Sequence, residues 1–243
     1  MSTGLIIDLL RHGACSDGKI YRGRTDSPLS SRGWTQMRAV MASSHSSGWQ
    51  SVYSSPLQRC LLPARQLTER LGVSLHEEPR LRELDFGAWD GQLQQRVWQQ
   101  QQSQVLAFWQ DPIAHPPPGS ESIRSLQQRV AAQLLQWLMD KELMDKELMD
   151  QGSEDGAGPP KDSRLLCITH GGVIRTLLCQ LLGMSITAAQ SLSIDYGSMT
   201  RIALYPEPQP DDKARPFHAQ VVFINRLPEL GGYEAGYEAE ETL

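Results

Sequence analysis

Arg11, His12 and Gly13 follow directly on the apolar run Leu5-Ile6-Ile7-Asp8-Leu9-Leu10. In open α/β sheets ligands bind beyond the carboxyl ends of the strands, so a buried strand that ends in a cation, an imidazole and a glycine puts reactive groups where a ligand would sit. An imidazole there could be a metal ligand, a base or a nucleophile. Arg11 offers a planar fork suited to phosphate or carboxylate oxygens, and Gly13 permits close backbone approach. Taken alone the tripeptide also reads as ordinary polar loop residues. A second junction of the same kind, Leu165-Leu166-Cys167-Ile168-Thr169 followed by His170-Gly171-Gly172, turns the expectation toward one shared site.

Other groups could join it. Arg22 and Arg24 lie in a loop over residues 14–30, and Arg59 is expected in the first turn of a helix near the same sheet rim. The stretch Arg80–Gly91 mixes acids, Glu83, Asp85 and Asp90 among them, with aromatics and glycines. His45, His76 and His218 read as ordinary surface or half-buried residues, while His115, in a proline-rich loop, could touch a substrate. Cys15 and Cys60 neighbour the candidate site, but without a CxxC partner or ligand spacing they read as bystanders.

Four segments, Leu10-Arg11-His12-Gly13, Ser54-Ser55-Pro56-Leu57-Gln58-Arg59, Glu83-Leu84-Asp85-Phe86-Gly87-Ala88-Trp89-Asp90-Gly91 and Thr169-His170-Gly171-Gly172, resemble in order the motifs of the histidine phosphatase, or phosphoglycerate-mutase-like, superfamily. The likeness spans roughly residues 5–205, and four ordered motifs are far more specific than one. It implies a three-layer α/β/α sandwich with a mainly parallel central sheet, and catalysis through a phosphohistidine with no metal and no cofactor. It implies His12 as nucleophile, Glu83 as general acid and base, and His170 as a donor to the phosphoryl group, with Arg11, Arg59 and Arg22 binding substrate.

Elementary chemistry agrees with that borrowed mechanism. A neutral imidazole has one lone pair for phosphorus, and a bond from its other N–H to a carbonyl fixes the tautomer. A phosphate dianion repels nucleophiles, so cationic donors must surround its equatorial oxygens. A carboxyl beside a bound dianion has its pKa raised, which suits it to protonate a leaving alkoxide and then to activate water.

Within the superfamily, Tyr21-Arg22-Gly23-Arg24-Thr25-Asp26-Ser27-Pro28-Leu29-Ser30, with Trp109-Gln110-Asp111-Pro112 and Pro118-Gly119-Ser120-Glu121-Ser122, is similar to alpha-ribazole phosphatases, which act on a cobalamin nucleotide-loop precursor. Ser120 departs from a glycine usual there. The alternatives are a broad-specificity small-molecule phosphatase, a phosphoglycerate mutase, or a catalytically silent module that binds a phospho-ligand. Mutases carry a longer basic insert after the glutamate motif, whereas here that region is glutamines with Arg96. The loop between His12 and Tyr21 also lacks the mutases' polar asparagine, so Arg22 or a backbone N–H would have to replace that contact.

The elements that must position these groups follow from periodicity and breakers. Trp34, Met37 and Met41 recur at helical spacing after a Ser30 cap, and read as core. Ser51–Ser54 is a short strand. Ser55-Pro56 predicts a helix starting at Pro56, with Leu57, Leu61, Ala64, Leu67 and Leu71 inward and a kink or shortened hydrogen-bond ladder at Pro63. Val73–His76 is a third strand. Residues 92–110 form a Gln-rich helix carrying Val97, Leu106 and Trp109, with Trp89 and Trp109 expected in the core. Asp111–Gly119 ends that helix and is a candidate lid.

The next helix points Ile123, Leu126, Val130, Leu134 and Leu138 inward and runs into Lys141-Glu142-Leu143-Met144-Asp145, repeated at once as Lys146–Asp150. Five residues turn a helix by roughly 500°, so the copies cannot share one apolar stripe and read as a projecting extension. Gln151–Asp162 is then a flexible linker. Leu165–Thr169, a helix through Leu182 with Gly183 behind it, and closing strands Met199–Tyr205 and Gln220–Ile224 complete one domain over residues 1–227, with 139–163 as helix end and linker. An acidic tail over 228–243, with Gly-Tyr-Glu-Ala duplicated, reads as disordered.

The 243 residues suffice for a single core, and a net charge of −5 argues against nucleic-acid or anionic-membrane partners. A small phosphorylated substrate is the expected partner, and a homodimer is compatible with the sequence without being required by it. Four cysteines without paired spacing fit reduced thiols in the cytoplasm. Asp8 and Arg11 break the first apolar run short of a spanning length, so neither signal peptide nor membrane helix is expected.

Overall fold

The computed structural model describes residues 4–43, 48–150, 162–207 and 217–228, with the backbone alone at 43 and 142–150. Its centre is β1 (Leu5–Arg11). The apolar run has no polar alternation because it is covered on both faces, as strands of parallel sheets are. β1 pairs in parallel with β4 (Ser163–Thr169) and antiparallel with β5 (Met199–Pro206). β2 (Ser51–Ser54), β3 (Ser74–Glu77) and β6 (Phe217–Arg226) complete a six-stranded sheet in the order β3-β2-β4-β1-β5-β6.

Alternation along the central strands sorts two cores onto the two faces. Ile7, Leu9, Leu165 and Cys167 pack with α3 (Gln94–Gln110), α4 (Ile123–Asp150) and α5 (Gly171–Leu182). Leu10, Leu166 and Ile168 point the other way, onto α1 (Ser31–Ser43) and α2 (Gln58–Leu71). A short α6 (Ile186–Ala189) follows α5. The three-layer, mainly parallel α/β sandwich is therefore present.

Several local expectations need correction. The α2 helix starts at Gln58, two residues after Pro56; Leu57 is its cap residue, and the first amide is held by Asp26 Oδ1 at 2.7 Å from Gln58 N. The helix continues unbroken through Pro63, which leaves its ladder short of the single donor that proline lacks. In α3 the backbone leaves helical geometry at Gln101 (φ −139°, ψ 34°), so the buried face is Val97, Val105 and Phe108. The phase change turns Leu106 and Trp109 outward, and Trp109 is 40% exposed rather than in the core; Trp89 is fully buried as expected.

The α4 stripe is as read, with Trp137 added and Leu138 only half-buried. Its backbone is helical through both copies of the duplicated pentapeptide. The linker at 151–161, His45 and the tail from 229 onward lie outside the described residues. The proline loop is tied to the glutamate motif rather than left hinged. Ala88 N–H donates to Pro118 O at 2.8 Å, and Glu121 N–H to Asp85 O at 3.0 Å.

Candidate active site

Parallel pairing of β1 with β4 sets Arg11 opposite Thr169, so the residues that follow each strand, His12 and His170, emerge side by side. His12 N–H donates to Thr169 O at 3.0 Å. The two rings are 5.1 Å apart and edge-on at 66°. Both histidines are buried.

His12 Nδ1 lies 2.8 Å from the carbonyl oxygen of Gly13, which can only accept, so Nδ1 carries the proton and Nε2 keeps the lone pair. Burial, and then the charges of Arg59 and Arg11, hold its pKa well below the ordinary imidazole value. His170 is held low by burial and by Arg59 in the same way. Arg59 Nε donates to His170 Nδ1 at 3.3 Å, and the opposite ring nitrogen, Nε2, faces Ser55 Oγ at 2.8 Å. Ser55 is itself fixed by its N–H to Ile168 O at 3.0 Å.

Arg59 is fully buried in the first turn of α2. Besides His170, its guanidinium donates to Thr25 O at 2.7 Å and Gly23 O at 2.8 Å, which locks the 22–26 loop against the helix. Arg11 bonds Ile194 O and stacks on Tyr196, while its Nε is buried without an acceptor among the described residues. Among the described residues, neither Arg11 nor Arg59 has a carboxylate within ion-pair distance. Arg22 differs: it pairs with Asp17, and it also donates to Ser27 Oγ at 3.1 Å, Gly18 O at 2.7 Å and Tyr196 Oη at 3.3 Å.

Glu83 is half-buried and joins the pair of imidazoles through α5: its Oε2 accepts from Gly172 N–H at 3.1 Å and its Oε1 from Leu84 N–H at 2.9 Å. A Cβ at position 172 would run into that carboxylate, so a side chain there would displace Glu83. The two rival acids are committed elsewhere. Asp90 accepts from Arg24 N–H and Thr25 N–H, both at 2.9 Å, and Asp85 from Gly87 N–H at 2.8 Å.

Five of the six expected residues, Arg11, His12, Arg59, Glu83 and His170, are thus gathered at one sheet rim, and Arg22 stands beside them engaged with Asp17. His76 is stacked on Tyr53 at the sheet edge, and His115 lines a separate cavity of about 280 Å³ with Trp89 and Pro116–Pro118. Cys15 Sγ is 3.9 Å from His12 Nδ1, and Cys60 Sγ is 3.7 Å from His170 Nε2. Burial pushes both thiols up and away from the nucleophilic thiolate form. All four cysteines are free.

Sequence reasoning missed two residues. Arg129 on α4 donates to Arg80 O and Arg82 O at 2.6 Å and to Glu83 O at 3.1 Å, clamping the strand of chain that presents Glu83. Tyr196 contacts Arg11, His12 and Arg22. Neither lies in a recognisable motif, and no spacing rule could have paired them with groups so far along the chain.

The model of the histidine phosphatase superfamily (branch 1) matches residues 7–209. The chain belongs to that superfamily. Phosphoserine phosphatase 1 of Hydrogenobacter thermophilus is 26% identical over 196 residues, covering 80% of this chain and 84% of its own. A Salmonella newport protein bearing the name "Probable phosphoglycerate mutase GpmB" is 29% identical over 203 residues, covering 82% and 84%. Among solved structures, the alpha-ribazole phosphatase from Shigella flexneri superposes with a TM-score of 0.70 at 20% identity, over 91% of this chain and 96% of that one. A mycobacterial glucosyl-3-phosphoglycerate phosphatase does so with 0.70 at 24%, over 91% and 99%. At such identities the structural likeness speaks for the fold. Membership of the histidine phosphatase superfamily is consistent with a hydrolase acting on phosphate monoesters, and among the described residues no helix is long and apolar enough to cross a membrane.

Proposed function

We propose that this chain hydrolyses small phosphate monoesters through a phosphohistidine at His12. The observation that carries the reading is the pair of cations Arg11, half-buried, and Arg59, fully buried, which have no carboxylate within ion-pair distance among the described residues and stand beside two buried imidazoles. A buried guanidinium is costly unless an anion compensates it. A phosphoryl group supplies that anion and spreads its charge over the oxygens the arginines can reach.

The steps balance without a further reagent. The lone pair on His12 Nε2 forms the P–N bond as the ester P–O bond breaks, and Glu83 gives its proton to the departing alkoxide. Glu83, now a carboxylate, takes a proton from water, whose oxygen attacks phosphorus and expels His12. Inorganic phosphate leaves, and both residues return to their starting forms. Arg11 and Arg59 stabilise charge on the equatorial oxygens, and His170 adds an N–H donor once a phosphoryl oxygen competes with Ser55 for it.

The substrate we assign first is alpha-ribazole 5′-phosphate, on the strength of the Tyr21–Ser30, Trp109–Pro112 and Pro118–Ser122 stretches. The glutamine-rich residues after the glutamate motif favour hydrolase over mutase. The reading is tested by turnover of an aryl phosphate in EDTA and by quenched labelling with ³²P substrate. The label should be base-stable and acid-labile on wild type and absent from His12→Ala. Absence of wild-type turnover would favour a silent binding module. A panel of alpha-ribazole phosphate, phosphoserine, 3-phosphoglycerate and nucleotides then ranks substrates, and equal rates across it would remove the specific assignment.

A further inference from the structure

Tyr196 lies outside the four motifs that carry the family resemblance, yet it meets three groups of the site. Arg11 Cζ sits 3.8 Å from the centroid of its ring. The same ring is 5.4 Å from that of His12, and its hydroxyl accepts from Arg22 Nη1 at 3.3 Å. The segment that carries it is sewn to the end of β1: Arg11 N–H donates to Ser198 O at 3.0 Å, and Gly197 N–H approaches Arg11 O and His12 O at 3.1 and 3.2 Å. Gly197 adopts φ 73°, a left-handed conformation in which glycine costs least.

Two guanidiniums near one imidazole repel each other, and each would move toward water unless held. A carboxylate could hold Arg11, but it would also neutralise the charge that a phosphoryl group must find. A π face attracts a cation through its quadrupole and leaves the full charge in place. Arg22, which already has Asp17, needs only a neutral oxygen to aim it. We propose that Tyr196 is a positioning residue for phosphate binding, whose ring face holds Arg11 and whose hydroxyl orients Arg22 without neutralising either. The proposal rests on the phosphatase reading above, and it accounts for an Arg11 Nε–H that is buried without an acceptor among the described residues.

The test measures inhibition by inorganic phosphate alongside aryl phosphate turnover in a set of variants. Tyr196→Leu removes the π face and should raise the phosphate Ki about tenfold, with kcat/KM falling in parallel. Tyr196→Phe keeps the face and should raise Ki about two- to threefold. Tyr196→Trp should recover most of what leucine loses. The decisive reading is the cycle with Arg11→Met: if Tyr196 acts through Arg11, adding Tyr196→Leu to Arg11→Met changes Ki no further than the hydroxyl's small share.

Losses that multiply independently, or a Tyr196→Leu enzyme that binds phosphate as wild type does, overturn the proposal. Should the leucine variant not fold, Tyr196→Gln, which keeps a polar reach and lacks a ring, carries the same comparison. Wild type that neither turns over aryl phosphate nor binds phosphate would overturn the enzyme reading itself. An active wild type with an indifferent Tyr196 would sink this inference alone.

Discussion

Arg59 Nε stands 3.3 Å from His170 Nδ1, and because a guanidinium can only donate, that ring nitrogen must be the acceptor. The proton of the neutral ring therefore sits on Nε2, facing Ser55 Oγ at 2.8 Å. A ¹⁵N-edited imidazole spectrum at neutral pH should show His170 as the Nε2–H tautomer. Ser55→Ala removes only the resting acceptor that a phosphoryl oxygen would displace, and Arg59 still donates to Nδ1, so the Nε2–H tautomer should persist and turnover should not fall. A ring protonated on Nδ1 would contradict the assigned geometry.

Acid sensitivity follows from the same burial. The proposed mechanism needs His12 neutral, and burial with the Arg59 and Arg11 charges holds its pKa well below 6.5. The acid limb of kcat/KM should therefore lie well below pH 6.5, with activity flat through the range where a free imidazole titrates. Stability moves differently. Unfolded, both histidines take up protons as pH falls through 6.5, while folded they resist, so stability present above that pH is lost below it at up to about 1.4 kcal/mol per pH unit per histidine. Urea titrations between pH 7 and 5 should show that loss, and His12→Gln with His170→Gln should flatten it.

The proton-donor role proposed for Glu83 predicts a dependence on the leaving group. Its carboxylate is anchored by Gly172 N–H at 3.1 Å, beside the histidine pair. Glu83→Gln can still accept from Gly172 N–H through its one carbonyl oxygen, gives up the bond from Leu84 N–H, and loses the transferable proton. With an alkyl phosphate, turnover should fall by about 10²–10⁴, and with an activated aryl phosphate far less. Equal losses for both would give the proton-donor role to another group.

How far the chain could be read in advance varies with the range of each interaction. His12 and His170 were legible because each follows a strand whose hydrophobic run is local, and parallel pairing of such strands does the rest. Arg59 was legible as a first-turn residue, although the helix begins two residues later than Ser55-Pro56 suggested. What takes the cap is Asp26, 32 residues away, and no local rule reports that. The burial of Trp109 was misread because a break at Gln101 shifts the helical phase. Arg129 and Tyr196 were invisible, since each acts through tertiary contacts with partners far along the chain.

Asp8 supplies a prediction about the scaffold. It interrupts the apolar run of β1 and is fully buried in the central strand. Its carboxylate is shared by Arg201 on β5 at 2.6 Å, Arg164 on β4 at 3.3 Å and the Trp49 indole N–H at 2.7 Å. One anion thus ties both neighbours of the strand that carries His12. Asp8→Asn removes the charge and leaves two cations facing each other. The rule for a broken buried pair gives about 3–5 kcal/mol, and the partial exposure of both arginine side chains lowers the expectation to about 2–4 kcal/mol. Chemical denaturation should read that loss, with kcat of the folded fraction little changed because the strand end is held separately by Thr169 and Ser198. Replacing all three charges and the indole donor together, Asp8→Leu with Arg164→Met, Arg201→Met and Trp49→Phe, should restore much of the stability, since an apolar core without ions need not be weaker than a satisfied ionic one. If the single variant is as stable as wild type, the cluster contributes nothing and β1 is held by its backbone ladder and packing alone.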